Sequence, residues 1–410
     1  MQDLPHLLFN PPRSGPSLRI AVVTETYPPE VNGVAMTARH MVQGLISRYH
    51  QVQLIRPQQS HEDQGTSTAS FDEVLVRSVP VPRYQDLRMG LPAKAALLAL
   101  WKQRRPHLVQ VVTEGPLGWS AIAAARQLNL PVISDFHTNF HIYSQYYGAA
   151  LMGKAIGTYL RWFHNRSHCT LVPTEAMRHE LADMGIRNLQ VLSRGVDTQL
   201  FQPSRWNKLL RQSWGAGEHR LVALYVGRIA AEKNLSLLID AFRHMQAARP
   251  SMKLVMVGDG PERAKLQAMH PDIIFAGMHV GEDLAEHYAS ADLFLFPSIT
   301  ETFGNVVLEA MASGLPVVAY DCAAAREHIR HGENGLRAAF DNTHAFISQA
   351  QRLVASVDDA RRMGRNARLT AEKIDWNLIH DRFEQLISDT VRQWEHCHDR
   401  KDRLSFVPDL

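Results

Sequence analysis

The chain of 410 residues is long enough for two domains, and its 45% hydrophobic and 21% charged content is that of a soluble globular protein. A net charge of only +3 argues against a nucleic-acid binder, and three widely spaced cysteines (Cys169, Cys322, Cys397) with no Cys-x-x-Cys pair argue against a disulfide framework or a zinc site. The opening residues, Met1-Gln-Asp-Leu-Pro, do not form a secretory signal, and no apolar run reaches the roughly 18 residues that cross a bilayer, so the cytoplasm is the expected compartment.

Short apolar, β-rich runs alternate with helix-patterned stretches, the signature of parallel sheets with crossover helices. The expected strands of the first half are Leu18–Thr24, Gln51–Arg56, Val74–Val79, Leu108–Thr113, Pro131–Phe136, Cys169–Val172 and Leu189–Leu192. Residues 61–70 are polar and read as a loose loop. The stretch Leu91–Arg105 reads as a helix with Leu97, Leu98, Leu100 and Trp101 beside Lys94, Lys102, Arg104 and Arg105, a pattern found in interfacial helices. Lys154–Arg166 adds Tyr159, Trp162 and Phe163 with Arg161. Residues 1–200 hold 19 Lys and Arg against 14 Asp and Glu, a net +5, whereas residues 201–410 hold 25 against 27, a net −2. The basic first half therefore suits an anionic partner or membrane surface.

The turn-rich segment Gly195–Pro203 reads as a linker between a first domain, 1–200, and a second, 201–373. The pattern restarts with strands expected at Arg220–Val226, Lys253–Val257, Ile273–Ala276, Asp292–Phe296, Pro316–Tyr320 and Leu336–Ala339. Asp375–Trp394 reads as a long final helix, and the last sixteen or so residues read as frayed. Residues 374–410 are expected to return to the first domain as that helix and a tail. Two doubly wound sheets in tandem place their strand carboxyl ends, where ligands bind in such folds, on either side of a cleft.

The most informative segment is Ser298-Ile-Thr-Glu301-Thr-Phe-Gly-Asn-Val-Val-Leu-Glu309-Ala-Met-Ala-Ser-Gly314. A buried strand runs into a loop holding Glu301, and a helix opens near Gly304 and stops at Gly314. The amides of Phe303, Gly304 and Asn305 open that helix and suit an anion. Glu309 stands alone on an apolar helix, where a carboxylate needs a partner, either a structural one or a ligand hydroxyl. Arg228 and Lys233 flank the first strand-to-helix loop of the second half, a guanidinium fork and an ammonium that together match a diphosphate or simply a solvated face. Gly33 follows the first strand in Glu25-Thr-Tyr-Pro-Pro-Glu-Val-Asn-Gly33, a loop with one glycine rather than a dinucleotide fingerprint. Gly258-Asp259-Gly260-Pro-Glu-Arg263 is likewise a weak dinucleotide signal. His137, in Ser134-Asp-Phe-His137-Thr-Asn139, ends a strand and is placed to face the cleft; the alternative is a structural histidine.

On these residues the chain resembles glycosyltransferase family 4, retaining enzymes of the GT-B fold. The most specific element is the Glu-x7-Glu spacing of Glu301 and Glu309. The resemblance implies an α/β architecture of two Rossmann-like domains with an interdomain cleft. It gives Glu301 and the amides after it to the donor sugar, Glu309 to the nucleotide ribose, and Arg228 and Lys233 to the diphosphate. It puts Gly33 near the diphosphate, His137 at the transferred sugar and Asp259 near the base. It implies no cofactor and no metal, with a nucleotide-diphosphate sugar as co-substrate. Glu25–Val34 and Phe136–Phe140 further resemble bacterial GDP-mannose-dependent α-mannosyltransferases, which favours GDP-mannose, and related enzymes make glycolipids. A lipid-linked or glycan acceptor follows, with the protein cytoplasmic or peripheral on the inner face of the cell membrane. The rival readings are a UDP-sugar glycolipid synthase, a nucleotide-sugar epimerase of the same architecture, a non-catalytic sugar-nucleotide binder and, more distantly, a dinucleotide oxidoreductase.

Overall fold

The computed structural model describes residues 16–404 apart from 31, 61, 82–83, 138–149 and 219, with backbone only at 81, 84–87, 150–153 and 398–404. Among these residues the strands form two parallel sheets. In the first, β1 (Arg19–Val23) pairs with β2 (Gln51–Pro57), which pairs with β3 (Phe71–Val76). On the other side of β1 lie β6 (Leu108–Val111), β7 (Val132–Asp135), β8 (Cys169–Val172) and β9 (Leu189–Val191), while β4 (Ser78–Val81) and β5 (Tyr84–Gly90) form a separate antiparallel hairpin. The second sheet runs β12 (Ile274–Gly277), β11 (Lys253–Val257), β10 (Val222–Val226), β13 (Leu293–Phe296), β14 (Val317–Tyr320) and β15 (Gly335–Ala338).

The central strands are apolar without alternation because helices cover both faces. Ile20, Leu54, Val109 and Ile133 in the first sheet and Leu224, Val255 and Leu295 in the second are fully buried. Each such side chain contributes about 1.5–3 kcal/mol relative to exposure.

Four expectations are corrected, the last of them on the Lys94–Gln103 helix below. Val74–Val79 is not one strand: β3 ends at Val76, and the chain turns into the hairpin, whose second strand the sequence pattern did not reveal. The 61–70 loop is anchored, because Arg56 pairs with Asp63 at 2.6 Å and Ser67 bridges Asp72. The final helix spans Trp376–Leu404, so ten residues expected to fray are helical.

That helix packs on the first helix, Gly33–Ser47. Gly44 permits the approach, since a Cβ there would lie 2.4 Å from the His380 ring. Buried Arg48 donates to Asp381 at 2.5 Å and to the Asn377 carbonyl at 3.0 Å, and His40 stacks on Trp376 at 4.4 Å. Trp376, Phe383, Ile387 and Val391 share an apolar cluster with Ile20, Val22 and Leu54 of the first sheet. The chain crosses between the sheets twice, side by side: the Val196 amide donates to the Ile374 carbonyl at 3.1 Å, and Val196 forms a parallel bridge with Asp375. Arg368 donates to the carbonyls of Thr198, Phe201 and Ala312 at 2.8–3.1 Å, holding this crossing against the second sheet.

The Lys94–Gln103 helix does not present its apolar face outward. Leu97 and Trp101 are buried, and the Trp101 indole donates to Gln53 at 2.9 Å. Arg104 pairs with Asp72, and Arg105 donates to the carbonyls of Leu128 and Asn129. The apolar stripe read as interfacial is core against the sheet.

Candidate active site

The loops after β1 and β7 face the loop after β13 across a cleft, Gly33 opposite Asn305 and His137 opposite Thr302. The loop after β10 is locked to the loop after β11. The Gly227 amide donates to Val257, Ile229 to Asp259, and Glu262 back to Ile229, all near 3.0 Å. Arg228 and Lys233 project from this braced loop. Tyr225, at the end of β10, donates its hydroxyl to the Arg228 carbonyl at 3.0 Å. The Arg228 guanidinium, partly exposed, lies 3.3 Å from Glu232.

Lys233 forms a direct ion pair with Glu301. Ser298 donates to the same Glu301 oxygen at 2.8 Å, and Thr300 donates to the Glu232 carbonyl at 3.1 Å. The two loops therefore bring the second domain's diphosphate and sugar candidates into one cluster.

After Glu301 the chain turns through Gly304, whose φ of +86° lies in the left-handed region that glycine occupies at no steric cost, and the Asn305–Ala312 helix begins. Val307, Leu308, Ala310, Met311 and Ala312 are buried, fixing this helix beneath the loop. The Phe303 side chain is also core, and its carbonyl accepts from the Ala324 amide at 2.8 Å. Across the cleft the Gly33–Ser47 helix begins, with the Asn32 side chain accepting from Ala35 at 2.8 Å. A Cβ built on Gly33 would sit 3.8 Å from the side-chain amide nitrogen of Asn305. Two helix N-termini thus converge, each carrying partial positive charge from unpaired amides.

Glu309 lies one turn further down the Asn305–Ala312 helix. Tyr288, itself buried, donates its hydroxyl to Glu309 at 2.9 Å. Burial pushes the Glu309 carboxyl up to about 7, against the lowering effect of that hydrogen bond. The lone carboxylate has a structural partner and keeps a second oxygen.

On the first-domain side His137 closes the floor. Its side chain is 6% exposed. Arg194, also buried, donates to its Nδ1 at 2.7 Å, and Asp135 lies 3.7 Å from its Nε2. Burial, and then the Arg194 charge, hold the imidazole below the ordinary histidine range. Thr302, immediately after Glu301, donates to the His137 carbonyl at 3.0 Å, so the Glu301 loop and the histidine are joined across the cleft. Residues 138–139, also part of the motif read from the sequence, lie outside the described residues.

The structure brings together Gly33, His137, Lys233, Glu301, Phe303, Gly304 and Asn305, with Arg228 and Glu309 at either end. Asp259 lies on the loop braced against that of Arg228, where its exposed carboxylate pairs with Arg263 at 2.8 Å and accepts from the Gly260 amide. Sequence reasoning missed Arg194, Thr302 and Tyr288. Arg194 sits between the expected strand Leu189–Leu192 and the segment read as linker, Tyr288 lies 21 positions from the carboxylate it serves, and Thr302 was inside the motif itself.

Comparison with known proteins fits this geometry. Residues 31–200 match the model for Glycosyltransferase Family 4, and residues 220–356 match Glycosyl transferases group 1. The chain is 34% identical over 320 residues to a GDP-mannose-dependent alpha-mannosyltransferase of Corynebacterium glutamicum, covering 78% of this chain and 76% of that one. It is 32% identical over 367 residues to the protein of the same description from Mycolicibacterium smegmatis, covering 89% and 95%. Among solved structures, sucrose-phosphate synthase from Thermosynechococcus elongatus superposes with a TM-score of 0.76 at 19% identity, covering 91% of this chain and 98% of that one.

Proposed function

This chain belongs to glycosyltransferase family 4 and is a hexosyltransferase with the GT-B fold, and on that premise we propose that it transfers mannose from GDP-mannose, with retention, to a lipid-linked or glycan acceptor. The observation that carries the reading is the convergence of Arg228, Lys233 and two helix N-termini beside Glu301. A diphosphate leaving group gains negative charge as the bond to the sugar breaks. Cations and fixed amide dipoles already aimed at that point stabilise the transition state without reorganising. Glu301 holds Lys233 in place; a bound diphosphate takes over that ammonium and frees Glu301 for the sugar hydroxyls. Glu309 receives the ribose hydroxyls, and the His137 ring lines the sugar pocket.

The acceptor hydroxyl attacks the anomeric carbon from the face the diphosphate leaves. The new carbon–oxygen bond forms as the bond to the phosphate oxygen breaks, and the hydroxyl proton passes to the departing phosphate. No residue is assigned as a covalent nucleophile and no step is assigned to a metal or cofactor. Closure of the cleft excludes water and suppresses donor hydrolysis.

The setting we propose is an anionic membrane surface. Exposed Trp119 stacks on Trp162 at 3.9 Å, Arg166 covers Trp162 at 3.4 Å, exposed Tyr159 packs beside Trp162, and Arg126 and Arg161 are exposed basic residues of the same two helices. Among the described residues no helix is long and apolar enough to cross a membrane.

The test is a donor screen by mass spectrometry with GDP-mannose, UDP-glucose and UDP-glucuronate, each with and without a lipid extract as acceptor source. Acceptor-dependent release of GDP from GDP-mannose is expected. A preference for a UDP-sugar would overturn the donor, and stoichiometric release of nucleotide without acceptor would favour the epimerase.

A further inference from the structure

The floor of the cleft holds a buried charge with no obvious structural use. Arg194 lies in the segment after β9, buried, beside His137 and Asp135. Burial lowers its guanidinium to about 10, so the fold bears a cost to keep it there. An arginine has five donors and no acceptor. The His137 Nδ1, 2.7 Å from Arg194 Nη2, must therefore be the accepting nitrogen. In the neutral ring the proton then sits on Nε2.

That Nε2 is buried and has no hydrogen-bond partner among the described residues. Asp135 is 3.7 Å away, beyond hydrogen-bond length, and its Oδ2 already accepts from Gln110 at 2.7 Å. A buried donor left unpaired is destabilising, and it calls for a partner or a functional role. The Thr302 bond to the His137 carbonyl keeps this N–H beside the loop that carries Glu301.

We propose that Arg194 is a positioning residue that fixes His137 as the Nε2–H tautomer, so that this N–H is a donor reserved for a hydroxyl of the transferred sugar. The inference rests on the reading of His137 at the sugar. The charged groups facing the ring are Arg194 from the crossing segment, Asp135 from β7 and Glu114 from the loop after β6.

The test is nitrogen-15 NMR of the full-length protein with labelled histidine, with the His137 resonances assigned by difference from His137→Gln. In the unsubstituted protein Nδ1 should read as unprotonated and Nε2 as protonated, and His137 should titrate below the ordinary histidine range. In Arg194→Met the ring should populate both tautomers and titrate higher, and kcat should fall roughly tenfold. Arg194→Lys should restore part of both the tautomer and kcat. A wild-type ring protonated on Nδ1, or an unchanged ring in a folded Arg194→Met, overturns the proposal. Should Arg194→Met fail to fold, the wild-type resonances still decide it. Normal transfer by His137→Ala instead overturns the underlying reading of the histidine, whatever the tautomer.

Discussion

Replacing Glu309 by Gln should make the protein more stable and the enzyme worse, with a pH dependence that identifies the cause. In the native state burial raises this carboxyl from 4.5 to about 7. The folded protein therefore binds a proton that the unfolded chain has released between those two values. Stability falls as pH rises through this window and is level above it. The rise corresponds to about 3 kcal/mol, an upper bound because part of the side chain still meets water. The amide of Glu309→Gln would not titrate, and its carbonyl can still accept from Tyr288. The stability difference between Glu309→Gln and the parent should therefore grow by up to about 3 kcal/mol between pH of about 4.5 and about 8. Chemical denaturation at the two pH values measures it. Ribose hydroxyls donate to the ionised form, so GDP binding should release protons and tighten across the same window in the parent. In Glu309→Gln calorimetry should show roughly tenfold weaker GDP binding that keeps only the pH dependence of the GDP phosphate itself. A stability difference that is the same at both pH values would refute the claim that an ionised, desolvated carboxylate is what the site maintains.

Arg228→Ala and Lys233→Ala should each cost roughly 10–150-fold in transfer with the fold intact, since each removes a charge-assisted bond to the diphosphate; near-normal turnover in both would remove that assignment. Glu301→Gln should impair sugar transfer while leaving GDP affinity close to normal by calorimetry, and the reverse ranking against Glu309→Gln would mean that the two roles are exchanged. Transfer should survive EDTA, because side chains and helix amides are assigned the diphosphate charge; activity abolished by EDTA and restored only by Mg²⁺ or Mn²⁺ would contradict this. Co-sedimentation with vesicles should rise with anionic lipid, fall with salt and weaken in Trp119→Ser/Arg161→Ser, whereas Lys102→Ser should have little effect because its helix turns its apolar face to the core; no binding at low salt would favour a soluble acceptor.

What could be read from the chain was whatever repeats locally. β8 and β11 have the bounds expected from their apolar runs, because a strand covered on both faces is a continuous apolar segment with polar ends. The Glu301–Glu309 segment was legible because strand, loop, glycine turn and helix follow one another within about seventeen residues. The hairpin of Ser78–Val81 and Tyr84–Gly90 was not, since its pairing depends on partners outside the parallel sheet rather than on its own pattern. Nor were the partners of the site. Tyr288 meets Glu309, Thr302 meets His137 and Arg194 reaches the same ring only after the sheets have brought distant loops together. A buried arginine at the edge of a turn-rich stretch has the local signature of a solvated one.

The paired crossing at Val196 and Asp375 has a consequence for how such enzymes can be recombined. The second sheet is linked to the rest of the molecule by two strands of chain that lie against each other, and its apolar cluster draws on residues 196–371, while the cluster beneath β1 takes up again at Trp376. Two cuts at neighbouring points in space would release the half that carries Arg228, Lys233, Glu301 and Glu309 as a cassette without breaking either sheet. A homologous cassette grafted at the same two points would meet the same paired crossing and would have to reproduce the Thr302 bond to the His137 carbonyl. A chimera exchanging only residues 197–374 should take its nucleotide from one parent and its acceptor from the other, while the sugar, which His137 also faces in the proposed site, should depend on both.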